Sequence, residues 1–142
     1  MGSHHKIGGV QVTKLRKLPL WVIYTGGFLV IVALTFGSLF LAGRTLIWEV
    51  DGIAQHFPIL VEFQKILQHP SQQGLFSWSW NLGLGADQLT TFTYYVVGDP
   101  FNYLVALMPT SKLEFGYQFL ILLRLYTVGL AFLGFSRQFN FS

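Results

Sequence analysis

Two long apolar runs frame this chain, and everything acidic lies between them. From Leu18 to Gly43 there are 26 residues without a charge. A helix needs roughly 20 apolar residues to cross a bilayer core. The run exceeds the apolar region of a signal peptide, about 7–15 residues, and Phe40-Leu41-Ala42-Gly43-Arg44 makes a poor cleavage site. It therefore reads as a retained transmembrane helix. Gly26, Gly27 and Gly37 fit that reading, because glycine is common in membrane helices. Ala33 and Gly37, four apart, offer a strip where another helix can approach closely. The second run, from Phe115 to about Phe135, is apolar except for Gln118 and Arg124.

The pattern predicts an α-helical integral membrane architecture. Residues 1–17 form a basic tail and 18–43 the first transmembrane helix. Residues 44–114 are an extracytoplasmic loop with short interfacial helices, 115–136 the second transmembrane helix, and 137–142 a short cytoplasmic end. Within the loop, Ile53, Phe57, Leu60, Val61 and Leu67 recur near helical spacing, with Asp51 as an N-cap. Pro58 either kinks that helix or forces it to start near Phe57. His69 to Gly74 is a turn, and Gly83-Leu84-Gly85 a tight one. Leu89 to Val97 is too short for pattern to separate helix from strand. Asp99-Pro100 is a helix start, the aspartate capping and the proline at the first position, and the helix ends at Pro109.

Charge sets the expected orientation. Lys6, Lys14, Arg16 and Lys17 precede the first run and Arg137 follows the second, so both termini are expected in the cytoplasm. Residues 44–114 hold Arg44, Lys65 and Lys112 against all six acids, a net −3 in a chain that is +3 as a whole. The basic collar is then a topology signal beside anionic lipid, not a nucleic-acid surface. Only 11% of residues are charged, against about 25% in soluble domains. The absence of cysteine excludes a disulfide framework and thiolate metal sites. Met1-Gly2-Ser3-His4-His5 reads as an expression scar or a disordered start.

Several polar groups are candidates for chemistry, each with a plainer alternative. Asp51 follows the first run by only 8 residues, so its carboxylate lies near the outer membrane face. There it can serve as general base toward a hydroxyl or as ligand to a divalent ion; the alternative is a helix cap. His56 can relay a proton or bind a lipid phosphate, or be held inside the loop. Gln55, four residues after Asp51, shares its helix face. Trp78 and Trp80 can stack on a sugar ring or belong to an interfacial aromatic belt, and Tyr94 and Tyr95 share that ambiguity with the belt favoured. Arg124 can face a phosphate in a membrane cavity or pair with a carboxylate. Gly83 and Gly85 lack the rest of a nucleotide-binding loop, and Asp87 and Asp99 read as caps. No Ser-His-Asp, Cys-His or H-E-x-x-H arrangement is present.

Three motifs stand in order between the apolar runs. They are Asp51-Gly52-x-x-Gln55-His56-x-Pro58, Trp80-Asn81-x-Gly83-x-Gly85-x-Asp87 and Tyr94-Tyr95-x-x-x-Asp99-Pro100-Phe101-Asn102. Together they resemble the N-terminal part of the bacterial YfhO-type membrane protein family, across roughly residues 20–136. Such proteins look like GT-C-type glycosyltransferases. The resemblance implies a polyprenyl-phosphate-linked sugar as donor and a cell-envelope polymer, such as teichoic acid, as acceptor. It also implies that Asp51 is the acidic residue of the first outer loop that serves catalysis, with Gln55 and His56 as members of its motif. The family typically has ten or more spans, so the chain is expected to be the N-terminal portion of such a protein or a truncated gene product, with no catalysis expected from these residues alone. The competing reading is a non-enzymatic two-span protein whose aromatic loop binds a glycan or another membrane protein. A weaker one is a piece of a transporter, with Arg124 and Asp51 lining a path.

Overall fold

The computed structural model describes residues 18–72 and 74–138. Lys6, Lys14, Arg16 and Lys17 of the basic collar and the five N-terminal residues singled out above lie outside them. Two helices, α1 (Leu20–Leu41) and α4 (Leu113–Gln138), carry the apolar runs, and both are long and apolar enough to cross a membrane. They are antiparallel. Tyr24 and Thr25 meet Tyr126, while Phe40 and Gly43 border a cleft with Phe115 and Gln118. Leu20 and Gln138 therefore end on the same side.

Close packing of the pair occurs at Gly129, where an added Cβ would collide with the Tyr24 ring. Thr25 and Tyr126 exchange a hydroxyl hydrogen bond of 2.8 Å at the same level. The expected strip is not used within this chain: Ala33 is exposed, and nothing lies within 4 Å of a Cβ built on Gly37. No residue of α1 is buried, so its apolar surface remains open.

The polar segment folds down along α4 instead of resting on its end. Leu113, Gly116 and Leu120 are the buried positions of α4. Met108 packs on Gly116, and Asp99 reaches Arg124. From Leu113 to Arg124 that is roughly 16 Å of helix at 1.5 Å per residue. A core of Ile59, Leu60, Phe63, Ile66, Leu82, Phe92, Val96 and Val105 joins those α4 residues. Burial of large apolar side chains in one cluster holds the segment together. Gln64, fully buried, donates from Nε2 to the carbonyls of Val105 and Met108, both at 2.8 Å. Those carbonyls lie at the end of a 3-10 helix, Pro100–Leu107, and the Met108 carbonyl also accepts from Gln68 Nε2 at 2.9 Å.

The helix around Pro58 is continuous but irregular. Gly52–His56 forms a π turn that leads directly into α2 (Phe57–Gln68). The wider turn shifts the hydrogen-bond register, so that Phe57 N–H bonds the Gly52 carbonyl, and Pro58 falls in the first turn of α2, where its missing N–H is harmless. The extra residue also rotates the helix face. Ile53, expected to point inward, is exposed, while Ile59, Leu60, Phe63 and Ile66 form the buried stripe. Asp51 does not cap: it has helical backbone angles and makes no capping bond.

After the turn at His69, a short antiparallel ladder pairs β1 (Trp78–Ser79) with β2 (Ala86–Asp87). Its connection uses positive φ at Gly83 (60°) and Gly85 (105°), the tight turn anticipated from sequence. Next come α3 (Gln88–Phe92) and a second π turn, Thr93–Val97, so the ambiguous stretch is helical. Asp87 caps α3, accepting from Thr90 N at 2.8 Å, and Asp99 caps the 3-10 helix, accepting from Phe101 N at 2.9 Å.

Candidate functional site

The first motif converges with the third. Gln55 Nε2 donates to Asp51 Oδ1 at 3.0 Å, and the Tyr95 hydroxyl donates to Gln55 Oε1 at 2.6 Å. An ionised carboxylate only accepts, so it takes the NH2 side of the amide and leaves the amide oxygen for Tyr95. His56 lies between Trp48 and Tyr95, with ring centroids 5.6 and 5.2 Å apart. Asp51 and Gln55 are exposed, whereas His56 is half-buried.

The backbone here is unusual in two ways. Asp51 to His56 and Tyr94 to Tyr95 sit on or beside the two π turns, and π geometry accounts for well under about 1% of residues in proteins. Such turns are frequent at functional sites. Val50, directly before Asp51, has φ of 66°. That left-handed conformation is disfavoured for a β-branched side chain, and among the described residues no other non-glycine residue adopts it. Strain of this kind persists where surrounding structure imposes it and clusters at functional sites.

Behind this face lies a polar cavity of about 180 Å³ lined by His56, Tyr95, Asp99, Asn102, Tyr117 and Arg124 together with Leu60 and Val96. Arg124 is held from two sides: Nε donates to Asp99 Oδ2 and Nη2 to Asn102 Oδ1, both at 2.5 Å. Asn102 in turn donates to the Val96 carbonyl at 3.0 Å. This network explains how an arginine is tolerated deep in an apolar helix, since its charge has a carboxylate partner. The partner comes from the polar segment, and that same carboxylate also caps a helix.

Trp78 and Trp80 stand apart. Their rings meet edge to face at 5.8 Å, on one side of the ladder. They close over Gly85, where an added Cβ would sit 2.8 Å from Trp80 Cε3 and 2.9 Å from Trp78 Nε1. Among the described residues, no hydrogen bond, ion pair or ring contact joins them to Asp51, Gln55, His56 or Arg124. Leu84, at the tip, is 99% exposed. Nearby, the Thr90 backbone N–H, with its hydroxyl, holds the exposed Asp87 carboxyl below the usual aspartate range.

Sequence reasoning weighed Tyr95 only as a stacking or interfacial aromatic, and did not single out Asn102 or Tyr117. The signal available for the first two was their membership of the third motif; for Tyr117 there was none. Among the described residues, no three His, Asp or Glu side chains come together as a metal would require. Asp51 would need ligands from elsewhere to hold a divalent ion.

No curated protein and no solved structure matches the chain. The family model described as Bacterial membrane protein YfhO matches residues 26–142, a stretch that includes all three motifs, α4 and most of α1. The chain accordingly belongs to the bacterial membrane protein YfhO family.

Proposed function

We propose that this chain forms one wall of the active site of a membrane glycosyltransferase that moves a sugar from a polyprenyl-phosphate donor to a cell-envelope polymer such as teichoic acid. α1 and α4 cross the membrane with both termini cytoplasmic, and residues 44–114 face outward. Family membership and the two apolar helices support the membrane setting. The observation that carries the catalytic reading is the Asp51 carboxylate. It is exposed, oriented through one oxygen by Gln55, and mounted between a strained Val50 and a π turn.

In this reading, Asp51 accepts the proton of the acceptor hydroxyl as its oxygen attacks the anomeric carbon, and the bond from that carbon to the donor phosphate oxygen breaks, releasing the polyprenyl phosphate. The free carboxylate oxygen is available for that role. His56 and the polar cavity beside it line the approach, and Arg124 contributes positive charge near the donor phosphate while tied to Asp99 and Asn102. The remaining walls come from further membrane helices packed on the open surface of α1.

Sugar transfer by the full-length protein carrying Asp51→Asn tests the assignment. A loss of about 100-fold or more at normal protein level is expected, the range general-base catalysis contributes. Unchanged transfer would remove Asp51 from the mechanism. A cysteine at Gln72 tests orientation: labelling by membrane-impermeant reagent from the outside is expected, and labelling only from the cytoplasm would invert the topology.

The alternative, non-enzymatic reading has one observation in its favour. Trp78 and Trp80 form an exposed aromatic platform suited to a glycan ring. Glycan binding that survives Asp51→Asn but not Trp80→Ala would favour it.

A further inference from the structure

We infer that Tyr95 is a positioning residue for Asp51, acting through Gln55, and that the two π turns serve to place this relay. The inference rests on the transferase reading for its kinetic consequence only.

The chain of contacts has a fixed direction. Asp51 cannot donate, so its oxygen selects the amide NH2 of Gln55. The Gln55 oxygen then faces the Tyr95 hydroxyl, which donates its only proton there. Reversing the amide would set its oxygen against a carboxylate. Tyr95 thus locks the orientation of Gln55, and Gln55 locks Asp51 with Oδ1 engaged.

The scaffold around the relay supports a dedicated role. Gln55 lies on one π turn and Tyr95 on the other, and their hydrogen bond joins the two. The Tyr95 ring is also pinned, edge-on to His56 at 5.2 Å and against Tyr94 at 4.7 Å. Tyr95 borders the cavity that holds Arg124, Asp99 and Asn102. One side chain therefore touches both the Asp51 face and the arginine cavity. A residue kept only for packing has no need to donate to an exposed glutamine.

Tyr95→Phe removes the donor and keeps the ring. In the full chain in lipid nanodiscs, the side-chain amide signals of 15N-labelled Gln55 should shift in this variant. In the transfer assay with the full-length protein, turnover should fall about 3- to 10-fold with donor KM unchanged, the scale of one hydrogen bond. The double variant Tyr95→Phe/Gln55→Ala should be no slower than Gln55→Ala alone, because the two residues act in series. Gln55 is exposed, so Gln55→Leu offers a variant that folds if Tyr95→Phe does not, and it should show the same turnover loss. Unmoved Gln55 amide signals in Tyr95→Phe, or losses that multiply in the double variant, would overturn the relay. The amide signals judge the relay alone, and Asp51→Asn judges the transferase reading alone, so the two failures are separable.

Discussion

Two stretches of this chain look alike as sequence and behave differently as structure. Residues 48–58 and 78–87 both mix tryptophan, glycine and an isolated aspartate. In the first, two polar side chains are drawn toward a distant partner. Gln55 reaches Tyr95, and His56 sits between Trp48 and Tyr95. In the second, the polar and tryptophan contacts are local. Asp87 caps its own helix, and the tryptophans lean on each other and on Gly85. The difference teaches that aromatic richness alone does not bring long-range order to polar groups. Holding the exposed Gln55 against Tyr95 has an entropic cost that local structure does not require.

The comparison breaks most visibly at Arg124. Arg124→Ala leaves Asp99 and Asn102 without their donor in a half-buried cavity, and it should lower stability by about 2 kcal/mol. Thermal unfolding in detergent checks this. Restoring much of the loss by pairing Arg124→Met with Asp99→Asn would show that the unpaired carboxylate causes it. A variant as stable as the parent would mean that the Asp99 and Asn102 contacts do not hold the cavity beside His56 together.

Gly85→Ala probes the other region. Its φ of 105° and the ring atoms within 3 Å leave no room for a methyl group. A loss of about 1–2 kcal/mol is expected, with a shift in tryptophan fluorescence and little change in sugar transfer. Reduced transfer at normal stability would instead tie the ladder to the site.

The smallest expected effect is at Asp87. Its carboxyl is held below the usual range, so the capping contribution is present at neutral pH and is lost as pH falls through the folded-state value. Asp87→Asn should be slightly less stable than the parent at pH 7, and the gap should close in acid. A gap that widens in acid would reverse the sign of the assignment.

Much of the local structure was legible because it follows from short-range chemistry. The Asp99-Pro100 helix start, the Gly83–Gly85 turn and the Asp87 cap all emerged from residue type and spacing. The helix face around Phe57 did not, because one π turn adds a residue and no hydrophobic period encodes it. The Asp51 cap failed for the same reason: the helix had already begun, and the carboxylate turned to Gln55. Arg124 clearly required a partner, yet which acid it takes depends on the segment folding down along α4. Tyr95 was present in a motif, but its bond to Gln55 spans 40 residues, beyond any local pattern.

The most direct measurement is sugar transfer by Asp51→Asn and Trp80→Ala, assayed side by side in the full-length protein at matched expression. The proposed transferase reading predicts a fall of about 100-fold or more for the first and no more than about 3-fold for the second. A large loss at Trp80 with Asp51→Asn near normal would contradict the account and move the site to the ladder.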